Sequence, residues 1–147
     1  MNAPEDTSLT IGRVAKLAGV GIDTVRFYER RGLLPEARRS AAGYRQYAAG
    51  TIDRLQFIRR AKALGFSLEE IGTLLDLQDN GGSKSAVKAI TARKLAQIDA
   101  KLADLSRMRS VLHNLHQDCS GAGNVCGCPI IDALAHADDL PLPELDT

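Results

Sequence analysis

Residues 86–115 constrain the fold most strongly, because this stretch contains neither glycine nor proline and is apolar at three- and four-residue steps. That spacing places the apolar side chains on one face of a long helix. The face, called here the α-helical seam, consists of Leu95, Ile98, Leu102, Leu105 and Leu112. A lone helix has no core of its own to bury such a seam. We therefore predict a coiled coil with the same helix of a second chain, with packing on the chain's own N-terminal domain as the alternative.

Two short helices joined by a tight turn are predicted near the N-terminus. Thr10 is a suitable cap for a helix through "IGRVAKLAG" that stops at Gly19. Asp23 is the predicted N-cap of a second helix that ends at Gly32. This arrangement is typical of a helix-turn-helix. The stretch "GYRQY" then changes to a two-residue period, which predicts a small hairpin, or wing, beside the two helices.

Two further helices are predicted in "TIDRLQFIRRAKALGFSLEEIGTLLDL", separated at Gly65. The apolar face of the first is formed by Ile52, Leu55, Ile58 and Ala61. Ser67 and Glu70 have the spacing of a capping box at the start of the second. Aromatic residues make up only 4% of the chain, so the core must consist mainly of aliphatic side chains. The predicted fold class is therefore mainly α-helical.

The positive charge is concentrated in residues 26–60, which hold nine arginines, no lysine and three acidic residues. The guanidinium group matches phosphates and guanine edges in geometry as well as in charge. A solvated charged face is the alternative interpretation. The absence of lysine favours a nucleic-acid-binding surface.

The order of several segments resembles the MerR family of bacterial transcription regulators over nearly the whole chain. These segments are "LTIGRVAKLAGVGIDTVRFYERRGLL", "GYRQY", "RLQFIRRAKALGFSLEEI", the long helix and "C…CPII". The resemblance implies a winged helix-turn-helix DNA-binding domain over residues 10–78, a dimerisation helix in an antiparallel coiled coil over 83–117, and a metal-binding effector loop with a short helix over 118–136. Residues 1–9 and 137–147 would be flexible segments.

The resemblance also implies a mechanism and its partners. Proteins similar to this one bind a palindromic operator in double-stranded promoter DNA as homodimers. Effector binding then bends and untwists the DNA, so that RNA polymerase can engage two promoter elements that are spaced too far apart. Such control needs only two protein conformations of similar energy and a deformable operator.

The family's DNA contacts map onto seven side chains of the DNA-binding domain. They are Lys16, Arg26, Tyr28, Arg31, Tyr44, Arg45 and Arg60. By the resemblance, Arg26 and Tyr28 would face the major groove and its phosphates, while the wing residues and Arg60 would hold the backbone. Residue chemistry alone fits Tyr28 and Tyr47 equally well as core aromatics.

The chain's three cysteines all lie in "CSGAGNVCGCPII", as Cys119, Cys126 and Cys128. The N-terminal segment lacks the features of a secretory signal, and no apolar run is long enough to span a bilayer, so we expect a cytoplasmic protein without a membrane partner. Clustered thiols there indicate metal binding or redox sensing rather than disulfides. The glycines between Cys119 and Cys128 allow both sulfurs to reach one ion. Pro129 is a good first helical residue, and a helix beginning there would favour a thiolate at Cys128.

The ion itself is predicted from the number of thiolates. By the resemblance, sensors of divalent ions carry a further cysteine at the start of the long helix, where coinage-metal sensors have serine. Here that place falls at Ser83, Lys84 or Ser85. This favours a two-thiolate site for Cu(I), Ag(I) or Au(I), with Lys84 or Lys88 offsetting the negative charge.

Cys126 supports an alternative on the same scaffold. A third thiolate would suit Hg(II), Cd(II), Pb(II) or Zn(II), and His113 and His116 lie one turn apart just before Cys119 as further candidate ligands. Solvent-exposed helix residues are the favoured interpretation of the two histidines.

Other classes of function fit the sequence less well. An iron–sulfur cluster needs four thiolates. A nucleophilic enzyme using Cys119 with His116 would lack a third orienting residue and an oxyanion loop, so we predict no enzymatic activity. The alternative of another class is a non-sensing DNA-binding protein whose cysteines hold a structural zinc ion.

Overall fold

The computed structural model describes residues 8–136 together with residues 138 and 140. Most of the segments 1–9 and 137–147, predicted to be flexible, therefore lie outside the described residues. The elements are α1 (Ile11–Ala18), α2 (Ile22–Arg30), β1 (Arg38–Arg39), β2 (Arg45–Gln46), α3 (Gly50–Ala63), α4 (Leu68–Asp79), α5 (Lys84–Asp118) and α6 (Pro129–His136). The prediction of a mainly helical chain is confirmed. The chain divides into two compact units, with the boundary between Thr91 and Ala92.

The start of α1 agrees with the prediction and the start of α2 does not. The Arg13 amide donates a 3.3 Å hydrogen bond to Thr10 Oγ1, and α1 ends at a Gly19 cap. The N-cap of α2 is Gly21 rather than Asp23. The Gly21 carbonyl accepts hydrogen bonds from the Thr24 and Val25 amides, so the helix begins two residues earlier than predicted. Asp23 lies in the first turn, where its charge suits the helix dipole.

One hydrophobic core holds α1 to α4 together. Its members are buried aliphatic side chains at helical spacing, joined by two tyrosines. They are Val14, Ala15, Ala18, Val25, Tyr28, Leu33, Leu34, Tyr47, Leu55, Ile58, Ala61, Ile71 and Leu75. Burying such side chains contributes about 1.5–3 kcal/mol each before entropy is counted, so this core fixes the orientation of the helix-turn-helix.

The predicted wing is a two-stranded antiparallel hairpin. Arg38 pairs with Gln46 and Arg39 pairs with Arg45. Leu9 and Tyr47 extend the pairing, because the amide of each donates a 2.8 Å hydrogen bond to the carbonyl of the other. Leu9 is thus part of the folded unit, and the predicted boundary of a flexible segment 1–9 is wrong at this residue.

The capping box of α4 is confirmed. The Glu70 amide donates to Ser67 Oγ at 3.1 Å, and the Ser67 amide donates to Glu70 Oε1 at 2.9 Å. Both bonds satisfy amides that would have no partner within the helix. The turn at Gly65 separates α4 from α3 as predicted.

The long helix α5 is continuous from Lys84 to Asp118, close to the predicted 83–117. Its seam is exposed in the single chain: Leu102 is 59% exposed and Leu112 is 58% exposed. Ile90, near the start of the helix, is buried. In the part of the chain that the structure describes, no helix is long and apolar enough to cross a membrane.

Candidate metal centre and nucleic-acid interface

The cysteine loop, residues 119–128, connects the end of α5 to the start of α6. The Cys119 amide donates a 3.2 Å hydrogen bond to the Leu115 carbonyl, which continues the pattern of α5. The Cys128 carbonyl accepts a 2.9 Å hydrogen bond from the Asp132 amide and so opens α6. The two outer cysteines therefore lie at two helix ends. Their backbone positions are fixed by helical hydrogen bonds rather than by the loop itself.

The Cys128 sulfur accepts hydrogen bonds from the start of α6. The Ile131 backbone amide has the largest effect, and together with the Ile130 amide it lowers the pKa of Cys128 below the ordinary thiol value. The Cys119 side chain lowers this pKa further through a hydrogen bond, while partial burial and the charge of Asp132 act in the opposite direction. Backbone amides and the Cys119 side chain thus favour a thiolate at Cys128. Cys119, Cys126 and Cys128 line one depression in the loop.

Cys126 has a different environment from the outer two cysteines. Its side chain is exposed, and its amide donates a 3.1 Å hydrogen bond to Asn124 Oδ1 in a tight turn. Among residues 8–136, 138 and 140, no three cysteine, histidine, aspartate or glutamate side chains converge on one point. A single chain thus presents a pair of thiols at Cys119 and Cys128, with Cys126 beside it in the loop.

The two histidines and the start of α5 have other surroundings. His113 and His116 line a shallow, largely apolar groove with Met108, Leu112 and Ile130. At the other end of α5, Ser83 caps the helix. Its hydroxyl accepts a 3.2 Å hydrogen bond from the Ala86 amide and lies 3.0 Å from the Ser85 hydroxyl. A metal contact at Ser83, Lys84 or Ser85 stays a prediction.

Six of the seven predicted DNA-binding side chains are exposed. They are Lys16, Arg26, Arg31, Tyr44, Arg45 and Arg60. Tyr44 is 73% exposed at the tip of the wing. An open depression between α2 and the wing is lined by Arg26, Arg30, Arg39 and Arg45 with Glu29 and Glu36. Guanidinium groups on two adjacent elements suit a phosphate backbone that crosses both.

Tyr28 is a correction to the predicted set. Its side chain is 6% exposed and belongs to the hydrophobic core, because α2 packs on α1 and turns this position inward. The alternative of a core aromatic is therefore the right one for Tyr28, and also for Tyr47 at 2% exposure. The neighbouring Phe27 is the partly exposed aromatic of α2, and the Arg31 guanidinium lies 5.8 Å from its ring centre.

Glu29 organises this surface, and the sequence patterns do not identify it. Its carboxylate accepts a 2.6 Å hydrogen bond from the Tyr47 hydroxyl and a 3.2 Å hydrogen bond from the Ala37 amide, and it lies 3.7 Å from Arg45. These contacts connect α2 to both sides of the wing. The sequence feature that points to Glu29 is the scarcity of acids in the arginine-rich stretch, because an isolated carboxylate among arginines is expected to have a specific partner.

Comparison with known proteins matches both units of the chain. The family model for the "MerR HTH family regulatory protein" matches residues 9–78, and the model described as "MerR, DNA binding" matches residues 52–115. A mercuric resistance operon regulatory protein of Serratia marcescens is 40% identical over 127 residues, covering 86% of this chain and 88% of the relative.

Two solved structures are also similar. A lead(II)-bound transcription regulator from Ralstonia metallidurans is 36% identical with a TM-score of 0.78, covering 86% of this chain and 98% of that one. A mercury(II)-bound dual-function transcriptional regulator from Bacillus megaterium is 36% identical with a TM-score of 0.68, covering 87% and 100%.

Proposed function

Because the chain belongs to the MerR family of helix-turn-helix regulators, we propose that it is a transcription regulator whose effector is a soft divalent metal ion bound by Cys119 and Cys128. The observation that carries the proposal is that Cys119, Cys126 and Cys128 line one depression in the loop before α6, where backbone amides and the Cys119 side chain lower the pKa of Cys128. Thiolates are the ligands that soft ions select, and amide hydrogen bonds favour the deprotonated form that metal binding requires.

The relatives favour a divalent ion over the Cu(I)-like ion expected from the missing cysteine at residues 83–85. They are a mercuric resistance regulator and regulators in complex with lead(II) and mercury(II). Charge gives a physical reason for the same choice. A divalent ion on two thiolates forms a neutral site, whereas Cu(I) would leave one negative charge. The negative charge of Asp132 acts on Cys128 and would oppose an anionic site.

Cys126 has an auxiliary role in this proposal. It is exposed in the same loop, seven residues after Cys119 and two before Cys128. A small rearrangement of the loop would add its sulfur to an ion already bound by the outer pair, which suits ions that prefer more than two ligands. The outer cysteines would then be essential, and Cys126 would adjust the choice among Hg(II), Pb(II), Cd(II) and Zn(II).

The DNA-binding unit would contact promoter DNA through α2 and the wing. Arg26 and Arg31 on α2, Tyr44 and Arg45 on the wing, and Arg60 on α3 are exposed and supply cationic or polar groups. With Lys16, these residues would position the protein through phosphate contacts. We assign Tyr28 to the support of α2 instead, because it is buried beneath that helix.

We further propose that the regulator acts as a homodimer through the α5 seam. A dimer carries two DNA-binding units and therefore matches a palindromic operator. Metal binding would join the end of α5 to α6, and the resulting shift between subunits would distort the operator so that RNA polymerase engages the promoter. The energy needed for such distortion is on the order of 1–6 kcal/mol, which a metal–thiolate site can supply.

Native mass spectrometry tests the effector directly. The purified protein is titrated with Hg(II), Pb(II), Cd(II), Zn(II) and Cu(I), and the ion and its number per dimer are read from the mass. We expect a divalent soft ion to bind most tightly and to induce transcription from the operator in a reporter strain. Tightest binding of Cu(I), with induction by Cu(I) alone, would contradict the divalent assignment. Unfolding on demetallation would indicate a structural zinc site instead.

A further inference from the structure

Arg54 connects three parts of the DNA-binding unit that are distant in sequence. Its Nε donates a 2.8 Å hydrogen bond to the Leu33 carbonyl. Its Nη1 lies 3.0 and 2.8 Å from the two carboxylate oxygens of Asp79. The Arg54 side chain is 20% exposed and the Asp79 side chain is 47% exposed, so the guanidinium is partly shielded from water while the carboxylate is open to it. Arg54 thereby ties α3 to the loop after α2 and to the last residue of α4.

Asp79 is part of a closely packed turn between α4 and α5. The Asn80 amide donates to the Asp76 carbonyl at 2.9 Å, and the Gly82 amide donates to the Leu77 carbonyl at 2.7 Å. A Cβ atom on Gly82 would overlap the Leu77 side chain, so the turn has no room for a side chain at residue 82. A movement at the start of α5 is therefore expected to displace Asp79 as well.

Leu33, whose carbonyl accepts the Arg54 hydrogen bond, is also hydrogen-bonded to α2. Leu33 is 5% exposed, and its amide donates a 3.0 Å hydrogen bond to the Tyr28 carbonyl. Tyr28 lies in the core directly after Phe27 and two residues from Arg26. Hydrogen bonds and one ion pair thus run without interruption from the turn before α5 to the helix with the candidate DNA contacts.

We infer that Arg54 and Asp79 are positioning residues that transmit a movement of α5 to α2, so that the response to metal depends on this pair. The inference rests on the proposed function, because it assigns the route by which an ion bound after α5 changes the DNA-binding unit. Neither residue belongs to the candidate metal or DNA ligands. Their contribution is a coupling free energy between two sites, an effect that typically changes an equilibrium by about 5- to 150-fold.

The test uses Arg54→Lys and Asp79→Asn in the full chain. Lysine keeps the charge but cannot donate to the Leu33 carbonyl and both Asp79 oxygens at once. Asparagine keeps the size of Asp79 and removes its charge. Arg59→Lys is the matched control, because Arg59 lies on the same helix and donates to the Ala18 carbonyl of α1 at 3.3 Å instead.

Three quantities are measured for each variant. They are the Hg(II) affinity from the thiolate charge-transfer absorbance, the operator affinity of the metal-free protein, and the Hg(II)-dependent fluorescence change of a base analogue at the operator centre. In Arg54→Lys and Asp79→Asn we expect the two affinities to stay within about threefold of wild type while the fluorescence change falls about tenfold. Arg59→Lys should behave as wild type in all three.

A metal-free measurement tests the same connection. Hydrogen exchange at the Gly82 and Leu33 amides should be faster in Asp79→Asn than in wild type, because the ion pair restrains both ends of the route. Unchanged exchange at Leu33 would overturn the inference. A wild-type fluorescence response in both variants would also overturn it. So would loss of metal-free operator binding in both variants, because the pair would then serve only to stabilise the DNA-binding unit. A wild-type protein that gives no Hg(II) response refutes the proposed function instead, and the exchange result still decides the inference.

Discussion

The Tyr47 hydroxyl donates a 2.6 Å hydrogen bond to the Glu29 carboxylate, joining the wing to α2 across 18 residues of sequence. Tyr47 is 2% exposed, and the Glu29 side chain is 15% exposed. The contact therefore lies between the core and the arginine-lined depression between α2 and the wing. It determines the spacing of the two elements that carry Arg26 and Arg45.

Tyr47→Phe removes this hydrogen bond with little change in shape. We expect the free energy of unfolding to fall by about 1–3 kcal/mol, because a partly buried carboxylate loses a donor. Denaturant unfolding measures the loss. Tyr44→Phe is the control, since this wing tyrosine is exposed and its substitution should leave the unfolding free energy unchanged. Equal effects of the two substitutions would exclude a special role for the Glu29 contact.

The same contact predicts a dependence of stability on alkaline pH. Burial, followed by the hydrogen bond to Glu29, raises the pKa of Tyr47 above its ordinary value of 10.0. The folded state therefore holds this proton where the unfolded state has released it. The protonated Tyr47 hydroxyl therefore contributes its full stabilisation below the ordinary pKa, and this stabilisation is lost as pH rises through the raised pKa of the folded state. Unfolding free energies measured above pH 10 should decline less steeply in Tyr47→Phe than in wild type.

Arg26→Ala should weaken operator binding and reduce its salt dependence. The loss of one phosphate contact lowers the slope of log affinity against log salt by about 0.9. The pair that Arg26 forms with the exposed Asp23 at 3.8 Å should contribute little to stability. Fluorescence anisotropy at several salt concentrations measures the slope, with Arg93→Ala on α5 as the control. An unaltered slope would identify Arg26 as a surface charge without a DNA contact.

Leu102→Glu should convert the dimer into monomers. A charge in the middle of an apolar interface leaves an unpaired buried carboxylate, which is strongly unfavourable. Light scattering would show the mass halving, and binding to a palindromic operator would fall to the non-specific range. Lys101→Glu adds the same charge beside the seam and should leave the dimer intact. A dimer that persists in Leu102→Glu would move the interface to another surface.

Cys119→Ser and Cys128→Ser should each abolish metal-induced transcription while operator affinity stays near wild type. Each removes one of the two outer sulfurs that line the depression in the cysteine loop. Cys126→Ser is the contrast: a retained response with an altered order of preference among ions would fit the auxiliary role. Complete loss in Cys126→Ser would instead make the site a three-thiolate site. Continued response to every soft ion in both outer variants would mean that the cysteine loop is not the sensor.

The predictable parts of this protein are those determined by local sequence. The Thr10 cap, the capping box at Ser67 and the continuity of α5 follow from short-range spacing and were confirmed. The Asp23 side chain suits an N-cap and so predicts one there, but Gly21, with an extended backbone, is the N-cap of α2.

Contacts across the tertiary fold were the parts that sequence patterns did not supply. Tyr28 and Tyr44 are both tyrosines near arginines in the sequence, yet one is buried and the other is exposed. Only the packing of α2 on α1 into the common core distinguishes them. The partner of Arg54 lies 25 residues away at Asp79, a distance at which periodicity carries no information. Likewise, two thiolates alone do not distinguish Cu(I) from a divalent ion, because both kinds of soft ion select sulfur ligands.

Because the seam of α5 is exposed in a single chain, association with a second copy would make the stability of the fold depend on protein concentration. In a single chain, Leu95, Leu102, Leu105 and Leu112 are each more than half exposed to water. Any copy of the chain that covers them adds its association free energy to that of folding, so dilution removes stability. The melting temperature should therefore rise with protein concentration. In a cell that makes few copies, the supply of folded regulator would depend on the number of chains as well as on their sequence.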